Sequence, residues 1–273
     1  MTLPPDFAFS QSNLQDYVAC PRRFELRCLR KRAWPAIPGE PVQELERLQD
    51  LGERFHRLVY QHRTGIPLEV IERQILDHEL SEWWHSYLEY APQGLPTRQY
   101  PEFTLQAGLA GYRLLAKFDL FTLDPDGRCV IVDWKTGLHR PRRDRLQERM
   151  QTRLYPLVAA LAAHSLLGRE VLPEQIEMVY WFTSDPQHPE VFSYSPEQLY
   201  ADRAEISELI RAIARLAEKG DFPPCTDERT CGWCVYRSLC ERGIRAEMFD
   251  PDGSLEEDPG LAFDFDEIEP IEF

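Results

Sequence analysis

No run of about 18 apolar residues occurs anywhere in the 273-residue chain, so a membrane-spanning helix is not expected. The opening residues, MTLPPDFAFSQSN, lack a basic segment followed by an apolar one. They do not read as a secretory signal, and a cytoplasmic location is the expectation. No Gly-rich phosphate-binding loop of the helicase kind is present, and no internal repeat is visible. Basic residues are missing altogether from Glu247 to Phe273, where eleven acidic residues stand. What remains, at 43% hydrophobic and 28% charged residues, is ordinary for a globular chain long enough to bury a core.

The missing basic residues explain most of the net charge of −15. Residues 1–246 hold 35 acidic against 31 basic side chains, so the body is nearly balanced and the acidity sits in a tail. Such a body can carry a basic groove, although net charge gives no positive support for one. The seven cysteines are Cys20, Cys28, Cys129, Cys225, Cys231, Cys234 and Cys240. An odd number without an export signal argues against disulfides and for metal ligation.

Along the chain, Ser10 or Ser12 can cap a short helix through Val18 that Cys20-Pro21 ends. Residues 42–62 place Leu45, Leu48, Leu51, Phe55, Leu58 and Val59 at helical spacing, and one further helix is expected over 69–90. Strand patterns follow near 99–107, 111–122 and 128–135. Next come one long helix over 144–167, strands at 176–183 and 191–194, and a helix at 197–219. The order predicts an α/β core decorated with helices.

Asp124-Pro125-Asp126-Gly127 is a turn sequence between two apolar strands. A hairpin folded about residue 126 sets Asp119 opposite Asp133, with Lys135 on the same face. Phe118, Leu120, Val132 and Trp134 then face the other way. Two opposed carboxylates repel each other, and a divalent cation between them offsets that cost. Oxygen donors suit Mg²⁺ or Mn²⁺. A solvated sheet face on which Asp and Lys simply pair is the competing explanation.

Asp119 followed by Asp133-Trp134-Lys135-Thr136-Gly137 resembles the active-site strands of the PD-(D/E)XK nucleases, most closely the RecB and AddB nuclease domains and their CRISPR-associated iron–sulfur relatives. Gly52-Glu53-Arg54-Phe55-His56 resembles the family's upstream Gly-x-x-x-His, and Gln151 with Tyr155 resembles its downstream Gln-x-x-x-Tyr. The resemblance implies a restriction-endonuclease-like core, a mixed central sheet flanked by helices with helical insertions. It implies that His56, Asp119, Asp133 and the carbonyl of Trp134 hold Mg²⁺ or Mn²⁺, that Lys135 acts on the attacking water or the phosphate, and that Gln151 and Tyr155 orient Lys135 or the nucleic-acid backbone. Phe118 stands where the family has its proline and Ala116 where a glycine often sits, but every proposed ligand is retained. Glu102, on the preceding strand, is left unassigned.

Cys231-x2-Cys234-x5-Cys240 supplies three thiolates where a zinc ion or iron–sulfur cluster usually takes four. Cys20, in Cys20-Pro21-Arg22-Arg23-Phe24, resembles the first cysteine of the iron–sulfur nucleases of this group. The resemblance implies a four-iron four-sulfur cluster at Cys20, Cys231, Cys234 and Cys240 that joins the chain ends. On spacing alone, Zn²⁺ at these four residues, or a set that uses Cys225, fits as well. Cys225 reads as a bystander, and Cys28 and Cys129 as small buried residues.

The combined expectation is a nuclease domain over residues 1–245 and a disordered acidic tail over 246–273. The tail ends Phe263-Asp264-Phe265-Asp266-Glu267-Ile268-Glu269-Pro270-Ile271-Glu272-Phe273, resembling the C-terminal tip of bacterial single-stranded-DNA-binding proteins. It could recruit a helicase or other repair protein, fold back over the site, or simply solubilise. The expected activity is metal-dependent exonuclease cleavage of single-stranded DNA or DNA ends. Two other readings compete: a catalytically silent iron–sulfur DNA-binding subunit of a helicase–nuclease complex, and a zinc-stabilised interaction module.

Overall fold

A computed structural model describes residues 2–32, 40–137, 139–227, 229–232, 234 and 236–242. The acidic tail and the predicted boundary at residue 245 lie outside these residues.

Strand β1 (Ala8–Phe9) leads into α1 (Gln11–Ala19), where Ser10 and Asn13 each accept the other's backbone N–H through a side-chain oxygen. Cys20 ends α1 in an extended conformation, and Pro21 opens the short α2 (Pro21–Phe24), which runs into a π-helical turn at Glu25–Leu29. Helix α3 (Glu40–Arg63) follows the predicted span closely. The single helix expected over 69–90 is two, α4 (Leu68–Glu72) and α5 (His78–Tyr90). Asp77 separates them by accepting the Glu79 and Leu80 amides, which starts a new helix.

Strands β2 (Arg98–Leu109), β3 (Tyr112–Leu123) and β4 (Cys129–Lys135) lie where the apolar pattern predicts them. The long helix expected over 144–167 is divided into α6 (Arg143–Glu148), α7 (Met150–Ala162) and α8 (His164–Leu167). Arg149 is extended at the first break, and the Leu146 carbonyl takes the Arg149 amide and the Thr152 hydroxyl. A continuous helix would have offered it the Met150 amide instead. Strands β5 (Ile176–Phe182) and β6 (Glu190–Ser193), helix α9 (Pro196–Lys219) and the turn-length α10 (Arg229–Gly232) complete the fold.

The strands form one mixed sheet in the order β1-β3-β4-β5-β6, with β2 also on β3. The β3–β4 and β5–β6 pairs are antiparallel, whereas β1–β3 and β4–β5 are parallel. This is the α/β arrangement with a mixed central sheet that the sequence predicts.

The described residues form two compact units, one drawn from residues 2–32, 40–45, 108–114 and 204–242, the other from 46–107 and 115–203. In the first, the rings of Phe7, Phe9, Tyr17, Phe24 and Phe222 pack with centroids 5.0–6.0 Å apart. Buried Asp16 is matched by Arg23 and Arg27, and buried Glu25 by Arg22 and Arg30, so neither carboxylate stays uncompensated.

In the second unit, Leu51, Phe55, Leu58 and Val59 of α3 and Trp83, Trp84 and Tyr87 of α5 cover one sheet face. That face is built from Leu120, Val130, Val132, Trp134, Val179 and Trp181. The Phe55 ring stacks on Trp181 at 5.9 Å, which holds α3 at a fixed height over the sheet. Phe55→Ala should therefore cost about 3–5 kcal/mol of stability, whereas Leu76→Ala, at a position 90% exposed, should cost under about 0.5 kcal/mol. Urea unfolding midpoints of the two variants test this.

Candidate active site

The site grows from the β3–β4 hairpin. Gly127 turns it with φ +95°, a left-handed conformation that favours glycine. The ladder runs Leu123↔Cys129, Thr122↔Val130, Phe121↔Ile131 and Leu120↔Val132, which is the register that a turn centred on residue 126 predicts.

At Asp119 the strand departs from alternation. Phe118 packs against Phe121 at 5.1 Å and Tyr155 at 5.0 Å, while Leu120, Val132 and Trp134 pack on α3 and α5. The sequence-based placement of Phe118 on the same face as Leu120, Val132 and Trp134 is thus incorrect. The cause is Asp119, whose Oδ2 accepts the Trp134 N–H at 2.7 Å, so a side chain rather than a strand carbonyl takes this donor. Asp119 and Asp133 are consequently served by different partners.

Asp119 Oδ2 lies 3.6 Å from His56 Nδ1 on α3. His56, Glu102 and Asp119 each offer one donor atom within 4.8 Å of the others. Glu102 reaches this group because its own backbone, at φ 50°, occupies the left-handed region inside β2. Such a kink interrupts the pleat and re-aims the side chain, and it costs about 1–3 kcal/mol in a residue with a Cβ. The Glu102 carboxylate also meets Lys117 Nζ at 2.9 Å. Sequence reasoning left Glu102 unassigned, although Pro101 within a strand was a signal for a bulge at this point.

Asp133, 1% exposed, is held by Lys135 Nζ at 2.9 Å from Oδ2 and by the Gln151 amide nitrogen on Oδ1. His56 Nδ1, buried and facing the Asp119 carboxylate, has no hydrogen-bond partner. Trp134 places its ring in the apolar cluster between these two polar residues. Gln151 fastens Asp133, and Tyr155, 4% exposed, packs edge-on against Phe118. Beneath the site, burial and the Asp133 charge push the Tyr180 hydroxyl far above its usual range, so it stays neutral and bonds Thr152.

A buried imidazole nitrogen without a hydrogen bond, set against two carboxylates, fits a hard divalent cation. Asp119 and His56, with Glu102 added, form the close donor set; Asp133 lies outside it and would complete the site from the β4 side.

In the other unit, Cys20, Cys225, Cys231, Cys234 and Cys240 all line one cavity. Cys225 is not a bystander. Its amide donates to Cys20 Sγ at 3.3 Å, and its thiol lies 3.5 Å from Cys231 Sγ. Burial, a hydrogen bond with Cys231 and the neighbouring thiolates push the Cys225 thiol up to about 12. Cys234 and Cys240 are raised as well, chiefly by burial. Thiols crowded in this way stay protonated until a cation draws them into the thiolate form, which is the chemistry of a metal or cluster site. Among the described residues, donor atoms mutually within 4.8 Å occur at His56, Glu102 and Asp119 and not at any three cysteines. Cys129 is fully buried in the sheet, and Cys28 is half-buried.

No curated protein matches the sequence. Among solved structures, the chain is similar to SSO0001, with 14% identity, 85% of both chains covered and a TM-score of 0.40. It is also similar to a proposed exonuclease from Eubacterium rectale, with 11% identity, 93% of this chain and 92% of that chain covered, and a TM-score of 0.49. The model of the PD-(D/E)XK nuclease superfamily matches residues 8–241, which takes in every site residue described above, and the chain belongs to that superfamily.

Proposed function

We propose that this chain is a metal-dependent DNA nuclease of the RecB/AddB-like iron–sulfur group, an exonuclease acting on single-stranded DNA or DNA ends. The observation that carries this reading is the meeting of His56, Glu102 and Asp119 beside the Asp133–Lys135 pair, with the buried His56 Nδ1 lacking a hydrogen bond. His56, Asp119, Asp133 and the Trp134 carbonyl would hold Mg²⁺ or Mn²⁺. When bound, the cation lowers the pKa of a water and offsets charge on the scissile phosphate.

The remaining work falls to the chain's own groups. Gln151 fixes the Asp133 carboxylate against rotation, and the Trp134 amide does the same for Asp119. Lys135 Nζ keeps access to solvent, with its side chain 21% exposed, and can turn from Asp133 towards a phosphate oxygen or the attacking water. The apolar cluster under Trp134 keeps bulk water off the inner side of the site.

A basic strap supports a nucleic-acid substrate. Arg140, Arg142, Arg143, Arg145 and Arg149 all lie between Lys135 and Gln151. Arg140 and Arg143 are tied to Glu190, whereas the side chain of Arg142 is 80% exposed and that of Arg145 54%. Their surface pairs with Asp144 and Glu148 are worth little and yield to a phosphate. Any unwinding would come from a helicase partner, since no Gly-rich phosphate loop is present.

The five-cysteine cavity supports a thiolate-bound metal group, and the resemblance of Cys20-Pro21-Arg22-Arg23-Phe24 and Cys231-x2-Cys234-x5-Cys240 to the iron–sulfur nucleases favours a four-iron four-sulfur cluster over zinc.

Three outcomes are expected. Anaerobically purified protein should cut end-labelled single-stranded DNA with Mn²⁺, and Lys135→Ala should lower the rate by about 10²–10³; cutting that survives chelation, or an unaffected variant, contradicts the reading. The Arg142→Ala/Arg145→Ala variant should bind DNA more weakly, with a log–log salt slope shallower by about 1–2. An unchanged slope places the strand elsewhere. Chemical analysis should find about four iron and four sulfide per chain, and one zinc without sulfide would exclude the cluster.

A further inference from the structure

Five thiols face a cavity where a four-iron cluster offers four corners. The surplus is resolved by geometry. Cys225 Sγ and Cys231 Sγ stand 3.5 Å apart, and the Arg242 guanidinium reaches both, at 3.7 Å and 2.9 Å respectively. Thiolates on two different corners of a cubane diverge outward from it and stand farther apart than this. A pair so close, bracketed by one cation, fits a single corner.

We infer that Cys225 and Cys231 are interchangeable ligands for one position of the cysteine site, with Cys20, Cys234 and Cys240 holding the other three. The inference rests on the iron–sulfur reading above and concerns only which thiols bind. Cys225 is already built into the site, because its amide donates to Cys20 Sγ, so its side chain needs only a rotation to replace its neighbour. Its thiol otherwise rests on the Asp227 carbonyl at 3.4 Å. Arg242 reaches both sulfurs, so its guanidinium stays beside whichever of the two is the bound thiolate. The exchange is a ligand substitution: one iron–sulfur bond breaks as another forms, the incoming thiol gives up its proton, and the outgoing thiolate takes one. No electron is transferred, and the cluster keeps its oxidation state.

The test compares Cys225→Ser, Cys231→Ser, the double variant and Cys234→Ser, each purified anaerobically as the full chain. Iron and sulfide content is read together with iodoacetamide alkylation mapped by mass spectrometry. Each of the first two variants should keep at least about half of the wild-type iron and sulfide, while the double variant and Cys234→Ser should lose nearly all of it. In Cys231→Ser, Cys225 should be shielded from alkylation; in the wild type, one thiol of the pair should stay reactive. Complete cluster loss in Cys231→Ser with full retention in Cys225→Ser overturns the inference, as does a Cys225 that alkylates freely in Cys231→Ser. The alkylation pattern is read on soluble holoprotein, so a variant that merely folds poorly is not mistaken for a lost ligand. A wild-type protein holding zinc and no sulfide would remove the iron–sulfur reading beneath the inference, a result distinguishable from failure of the exchange alone.

Discussion

The hydrogen bond from the Trp134 amide to the Asp119 carboxylate organises the catalytic half of this molecule. It replaces a strand-to-strand contact with a side-chain contact at the point where β3 and β4 must separate. Phe118 thereby turns towards Tyr155, and Trp134 is anchored in the apolar cluster. A carboxylate only 6% exposed is then left facing an imidazole and a second carboxylate. Burying such a group is costly unless it is paired. The amide supplies part of the compensation, and the remaining donors converge where a cation would supply the rest. Asp133 solves the same problem differently, with Lys135 on one oxygen and Gln151 on the other. The two acids thus acquire separate roles from separate neighbours.

Much of this was legible in the chain itself. Asp124-Pro125-Asp126-Gly127 specified the hairpin, so the pairs from Leu123↔Cys129 to Leu120↔Val132 could be located by counting from the turn, up to Asp119, where the strand departs from alternation. The α3 stripe was equally readable, because Leu51, Phe55, Leu58 and Val59 keep helical spacing over a buried face. Three features escaped for a common reason: each depends on a contact remote in sequence or on one backbone angle. The break at Arg149 is a rearrangement around the Leu146 carbonyl in a segment whose apolar periodicity runs straight through. Glu102 enters the site only because its backbone is left-handed, a state to which composition is nearly blind. The sequence reads Cys225 as a bystander because it ends the proline-rich Phe222-Pro223-Pro224 lead-in, yet a hydrogen bond to a residue 205 positions away places it at the cysteine cavity.

The two chemical centres make different demands on the chain. The carboxylate site is assembled on the sheet and α3, elements fixed by stacked aromatic rings such as Phe55 on Trp181, which suits a reaction sensitive to small displacements. The cysteine site draws on short helical turns and loops, with Cys20 at the end of α1 and the other thiols between residues 225 and 240. Elements this short have little stability of their own, so a bound cluster would contribute directly to holding them together.

Central to the account is a cation held between α3 and the hairpin, with the Asp119 carboxylate as its principal anchor. Titrating Mn²⁺ into the protein while following the free-ion electron paramagnetic resonance signal reads this directly, without any substrate. Wild-type protein should take up Mn²⁺ at this site, and Asp119→Asn should bind it at least about 10-fold more weakly while unfolding at an unchanged urea midpoint. Equal Mn²⁺ uptake by the two proteins would contradict the assignment and leave Asp119 as a purely structural cap on Trp134.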